Sequence, residues 1–419
     1  MNGYAVVVLT ALVFEGVLEV TADVLNVAAL SPDVPAEFRD VYDPARYRRS
    51  QEYTRARTHF GILVSVVNLA IVLVFWFAGG FEALDRAVRA LGRGPIVTGL
   101  LFVGVLAIGR GALNLPARWW STFVLEERFG FNTTTQAVFW SDLMKGLALA
   151  LAFGTPLVAV ILWFFGAGGQ WAWLWAWVAT ALVLVGLQIL LPAWIMPLFN
   201  RFTPLGEGDL RDAILAYARS VRFSLDDVFV IDGSRRSTKA NAFFTGFGRH
   251  KRVALFDTLV ERLRTSELVA VVAHEIGHYR CRHVLVGLGL TIAHLGLMFF
   301  LLSLFLARAE LFRAFYVATP SVYVGIVLFT LLLTPIELAL SIGTNAFSRR
   351  NEFAADAFAA RTTGAGEPLA QALKHLSTDS LSNLTPHWLY VVLRYSHPPV
   401  LARIHALRSG IARHDRGGS

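Results

Sequence analysis

Two histidines four residues apart, with an acid after the first, form the stretch with the clearest chemistry: Ala273-His274-Glu275-Ile276-Gly277-His278. On a helix, positions i and i+4 share a face, so both imidazoles point a ring nitrogen at one metal ion. Zinc accepts such nitrogens, and a catalytic site keeps one position open for water. Glu275 lies beside that position and suits the general base. A catalytic site needs a third protein ligand. Downstream, Asn351-Glu352-Phe353-Ala354-Ala355-Asp356 puts two carboxylates on one face of a second helix. Glu352 is assigned to the metal and Asp356 to a histidine N–H behind it, one Zn2+ per chain. The competing reading is a surface helix with salt bridges to Arg349 or Arg350. Cys281 falls broadly on the histidine face, but a thiolate would take the open position, so a packed thiol is preferred. His397, in Ser396-His397-Pro398-Pro399, either donates to a tetrahedral oxyanion or merely opens a helix.

Flanking signals place these residues. Ser266-Glu267 reads as the cap and first-turn acid of the histidine helix, and Leu268–Ala273 is apolar enough to be buried. Ahead of it, Glu207–Val221 reads as an amphipathic helix, and Val228–Ile231, Asn241–Phe244 and Val253–Phe256 as strands, the last two flanking a turn over Gly246–Arg252. The metal helix thus closes a small α+β insert.

The rest of the chain is a membrane protein. Hydrophobic residues make up 55% of the 419 and charged residues 16%, against roughly 25% in soluble domains. Seven apolar stretches approach or exceed the ~20 residues that cross a bilayer: about 3–25, 60–80, 95–115, 143–165, 171–195, 284–307 and 321–342. The predicted fold is an all-α polytopic membrane protein with seven transmembrane helices and the α+β insert. Its parts are 1–195 with five spans, the insert 196–283, spans six and seven in 284–342, a C-terminal catalytic region 343–412 and a disordered tail 413–419. The net charge of +8 fits membrane orientation and lipid headgroups rather than nucleic acid. Arg-rich segments at 31–58, 196–283 and beyond 345 put the insert and the C-terminus in the cytoplasm and the N-terminus outside. One cysteine excludes an internal disulfide. Glu15, Glu19 and Asp23 form an acidic stripe in the first span, facing either a polar chamber or an interhelical partner, with Arg110 a candidate. Glu337 also calls for a partner.

Taken together, these motifs resemble the type I CAAX prenyl endopeptidases, integral-membrane gluzincins. The resemblance runs from about Glu126 to Leu407, through Gly130-Phe131-Asn132 with Thr135, Pro197-Leu198-Phe199-Asn200, Asp232-Gly233-Ser234 with Lys239 and Asn241-Ala242-Phe243-Phe244, the metal residues with His283, and Ser396-His397-Pro398 with Arg403. Thr245-Gly246 and Tyr279-Arg280-Cys281-Arg282 depart from the family pattern. The resemblance implies helices around a water-filled chamber, zinc at its cytoplasmic end, and peptide cleavage near the C-terminus of lipid-modified or membrane-associated substrates. It implies Glu352 as ligand, His397 as oxyanion helper, and Asn241, Ala242, Phe243, Phe244 and Arg403 on the substrate side. Competing readings are a heat-shock-type membrane quality-control protease, a transporter using the acidic stripe, and a zinc-stabilised scaffold.

Overall fold

The computed structural model describes residues 1–245 and 252–414. The predicted turn over Gly246–Arg252 and the tail 413–419 fall largely outside them. Five long helices come first: α1 (Gly3–Ala28), α2 (Pro44–Phe77), α3 (Pro95–Glu126), α4 (Gln136–Ala167) and α5 (Gly169–Phe199). Asn2 caps α1 through Ala5 N–H, and Asp43 caps α2 through the N–H groups of Ala45 and Arg46. The helix α2 starts sixteen residues before the predicted span, because its Arg-rich first half runs outside the apolar segment. The chain continues through α6 (Asp209–Ser220), α7 (Thr265–Arg280), α8 (His283–Phe305), α9 (Val322–Leu332) and α10 (Thr334–Thr363). The predicted seventh span is broken: α9 and α10 meet at 57°. Pro335 sits in the first turn of α10, where its missing N–H and fixed φ suit a new helix rather than a continuing one. Three shorter helices follow, α11 (Glu367–Asp379), α12 (Trp388–Arg394) and α13 (Val400–His414).

The spans form a ring. Neighbours run α1–α2–α3–α4–α5–α8–α10 and back to α1. Asn68 on α2 donates to Asn114 on α3 at 3.1 Å, and Trp177 on α5 donates to the Ile292 carbonyl of α8 at 2.7 Å. A bundle packed onto itself would bury one stripe of every helix. Here no more than 17% of the most apolar window of any of the six straight spans is buried. Two hydrophobic cores account for this. One, around Trp76, Phe102, Phe312, Phe315 and Val324, closes one end of the ring. The other, around Tyr47, Ile214, Leu255, Leu268, Ile276 and Ile404, unites the insert, the start of α2 and the C-terminal helices at the other end. Between the cores the helices enclose a chamber, as the family resemblance implies.

Among the described residues, Glu19 and Asp23 of the acidic stripe are paired, but not by Arg110. Arg394, on α12, reaches Glu19 at 3.3 Å and Asp23 at 3.8 Å. Glu337 finds His294 at 3.0 Å. Both partners are far away in sequence, so no local spacing announced them.

The insert is a four-stranded sheet in the order β1 (Phe202–Pro204), β2 (Asp227–Ile231), β4 (Arg252–Phe256), β3 (Ala242–Thr245). Pairing is antiparallel at β1–β2 and β3–β4 and parallel at β2–β4, with Val228 opposite Val253 and Ala242 opposite Leu255. The short β1 was not predicted. The loop after α3 is stitched to the insert: Thr133 Oγ1 donates to the Ser234 carbonyl at 2.6 Å, and Thr134 Oγ1 to that of Arg236 at 2.9 Å. Arg236 in turn forks onto Asp142 of α4 at 2.7 and 3.0 Å.

The helix α7 begins two residues earlier than Ser266 suggested. Arg264 is its cap, and Glu267 closes the turn by accepting from Arg264 N–H at 3.0 Å. It lies along α10 at very close range. A Cβ on Gly277 would meet the backbone of Ala355 at 3.1 Å. Gly277→Leu should therefore force the two helices apart, costing about 1–3 kcal/mol. The expected result is a lower melting temperature with weakened metal retention in the purified protein; full metal content would refute this packing role.

Candidate active site

Those two helices converge on one point. His274 Nε2 and His278 Nε2 are 3.1 Å apart, His278 Nε2 and Glu352 Oε1 are 3.2 Å apart, and His274 Nε2 and Glu352 Oε2 are 3.5 Å apart. These are the three residues whose donor atoms cluster as a metal site among the described residues. The edges match a tetrahedron with bonds of ~2.0–2.1 Å, whose edge is ~3.3 Å. Two imidazole lone pairs and a carboxylate repel at this distance unless a metal ion or a proton sits between them. Glu352 Oε2 is moreover buried without a hydrogen-bond partner. The donor set therefore fits a divalent ion such as zinc.

Behind the donors lies a charged support. Asp356 Oδ1 is 2.8 Å from His274 Nδ1, which fixes the tautomer that leaves Nε2 free. Arg403 Nε and Nη2 clasp Asp356 at 2.8 and 2.6 Å, and its Nη1 lies 3.3 Å from Glu352 Oε2. The resemblance implies a place for Arg403 on the substrate side; in the structure its fork is spent on these two carboxylates, and only 8% of it is exposed. The surface reading of Glu352 and Asp356 fails on burial, at 4% and 2% exposed. Arg349 instead donates to the carbonyls of Val391 and Tyr395, at 3.1 and 2.6 Å, and so ties α10 to the segment leading to His397.

The open side of the donor triangle faces a cavity of about 300 Å³ lined by Asn241, Ala242, Glu275 and His397. Burial raises the Glu275 carboxyl above its usual range, the direction required of a base working near neutrality. His397 Nε2 lies 3.4 Å from Glu352 Oε1, and its Nδ1 is 3.0 Å from Ser396 Oγ. Both possibilities raised for His397 meet here: it precedes a helix and also stands at the site. Asn241 keeps its side-chain carbonyl on Ala242 N–H at 2.9 Å. Phe243 and Phe244 contribute backbone to β3, the edge strand beside this cavity.

Two neighbours complete the surroundings: His283, which the resemblance included without a role, and a cluster absent from the sequence reading. His283 Nδ1 is 3.0 Å from His278 Nδ1 and can hold the second imidazole as Asp356 holds the first. Helical spacing does not show this contact, because Arg282 adopts φ +58° and redirects the chain between α7 and α8. The Tyr53–Glu126–Lys239 cluster, with contacts of 2.6 and 2.8 Å, joins three distant segments. Cys281, predicted to be packed, is exposed and stands apart from the three donors.

Burial disfavours the His274 imidazolium, but the Asp356 and Glu352 carboxylates outweigh it and push its pKa up to about 9. Without metal the ring is therefore protonated at neutral pH, whereas a ligand must be neutral. Metal affinity should rise with pH until about 9 and fall on acidification. Calorimetry in two buffers of different ionisation enthalpy should register a proton released per ion bound at pH 7. Asp356→Asn should weaken metal retention about 10- to 100-fold.

Comparison with known proteins agrees with this geometry. A family profile described as the CAAX prenyl protease N-terminal region, with five membrane helices, matches residues 23–201, and one for peptidase family M48 matches residues 204–411. The chain is 33% identical over 400 residues to the CAAX prenyl protease 1 homolog of Arabidopsis thaliana, covering 93% of this chain and 94% of that one. It is 34% identical over 400 residues to CAAX prenyl protease 1 of Saccharomyces cerevisiae, covering 89% and 88%. The crystal structure of S. mikatae Ste24p superposes with a TM-score of 0.92 at 31% identity, covering 97% of this chain and 99% of that one. Such coverage by CAAX prenyl proteases favours their family over the transporter, scaffold and quality-control readings. The chain thus belongs to peptidase family M48, among the CAAX prenyl proteases, and is a multi-pass membrane metalloendopeptidase.

Proposed function

We propose that this protease uses one zinc ion, held by His274, His278 and Glu352, to hydrolyse peptide bonds near the C-terminus of lipid-modified or membrane-associated peptides. The observation that carries the reading is the cluster of His274, His278 and Glu352, with pairwise contacts of 3.1, 3.2 and 3.5 Å, opening on a cavity beside Glu275. Zinc bound there supplies Lewis acidity toward a water and the scissile carbonyl. Glu275 takes the proton of the attacking water on its carboxylate and hands it to the departing amine. His397 offers Nε2–H to the developing oxyanion, and the Ser396 hydroxyl orients its ring. Among the described residues β3 has β4 on one side and no strand on the other, so an extended substrate adds to Ala242–Thr245 as a further strand. That pairing aligns the scissile carbonyl. Asp356, Arg403 and His283 hold the ligands still.

The relatives carry "CAAX prenyl protease" in their names, which supports a lipid-modified C-terminal substrate here. The ring of spans, with room between its two cores, supplies a place for an acyl or prenyl chain. The Arg-rich segments at 31–58, the insert and the C-terminal region share one core, so they lie on one side of the bilayer. By the positive-inside rule that side is the cytoplasm.

Mass spectrometry of products from a peptide library, with and without chelator, tests the reading directly; cleavage that survives complete metal removal would refute it. Glu275→Gln should keep its metal and lose about 10²–10⁴-fold in turnover. Wild-type turnover by that variant would mean the proton is carried elsewhere.

A further inference from the structure

A second cavity adjoins the metal cavity. It holds about 530 Å³ and is lined by Arg57, Lys239 and Arg394, with Asp23, Tyr53 and Asn383. Ser380 and Ser382 line both cavities, so the two share a wall. The chain leading into β3 joins them as well. Lys239 faces the second cavity, while Ala240, Asn241 and Ala242 face the metal cavity.

The cations of the second cavity are unequally satisfied. Lys239 Nζ is 2.8 Å from Glu126 Oε2, and Arg394 is 3.3 Å from Glu19. Arg57 is exposed, and among the described residues it has no carboxylate within ion-pair range. An anion entering here would meet the Arg57 guanidinium, which has the Tyr53 hydroxyl but no carboxylate beside it, with a lysine and a second arginine nearby.

Strand polarity says which anion. A peptide added antiparallel to β3 runs its C-terminal end back past Asn241 and Ala240 toward Lys239. From Ala242 to Lys239 is three residues, roughly 10 Å of extended chain. We propose that this second cavity is a subsite for the free C-terminal carboxylate of the substrate, with Arg57 as its ion-pair partner and Lys239 beside it. A guanidinium fork matches a carboxylate in two hydrogen bonds. The subsite makes the protease measure its cut from the end of the chain. The inference rests on the hydrolytic reading above.

The test uses the full-length, detergent-solubilised, zinc-loaded protein and two peptides identical except for a free or an amidated C-terminus. Wild type should favour the free acid by roughly tenfold or more in kcat/KM, the difference lying in KM. Arg57→Gln should bring the acid-to-amide ratio close to one while metal content is retained, and Arg57→Lys should keep much of the preference. Equal processing of acid and amide by wild type overturns the subsite, and so does an undiminished ratio in Arg57→Gln. Should Arg57→Gln fail to fold, the wild-type ratio and the Lys variant still decide. If wild type cleaves neither peptide, the hydrolytic reading falls first, and this inference falls with it.

Discussion

Mutual repulsion between three electron-rich atoms organises this protein. His274 Nε2 and His278 Nε2 lie 3.1 Å apart, and the two Glu352 oxygens lie 3.5 and 3.2 Å from them, an arrangement that a metal ion or a proton on the ring makes favourable. Two features hold it. The Asp356–Arg403 pair fixes one imidazole from behind, and the close approach of α7 to α10 at Gly277 sets the spacing. A buried ion pair of this kind adds little net stability by itself, because desolvation offsets attraction. Its value lies in geometry: it keeps a ligand ring from rotating when the ion leaves.

Local chemistry was legible in the sequence and long-range pairing was not. The histidine spacing, the Glu352–Asp356 face and the edge strand after Lys239 follow from periods of 3.6 and 2 residues, which any short window displays. The partners of the membrane acids did not follow. Arg394 is hundreds of residues from Glu19, and His294 is 43 from Glu337, so only the closed ring of helices brings them together. The reversal at Arg282 hid the contact of His283 with His278, because a left-handed arginine has no sequence signature, and the bend at Pro335 cut a continuous apolar run in two. For Arg403, resemblance supplied the motif but not the direction of its side chain.

The distribution of packing also separates function from stability. Dense cores sit at the two ends of the ring, and the middle is sparse. In water such a hollow would collapse under the hydrophobic effect. In a bilayer, lipid covers the outer faces, helix backbones are satisfied internally, and the ring can stay open.

The helix α10 is one continuous rod of 30 residues, roughly 45 Å long. It begins as half of a membrane span and carries Glu352 and Asp356 further along the same rod. The insert alone would hold the two imidazole ligands and Glu275, but not the ligand Glu352. The third ligand thus reaches the metal site on a rod rooted in the bilayer, so a tilt of that rod in the membrane would move Glu352 directly.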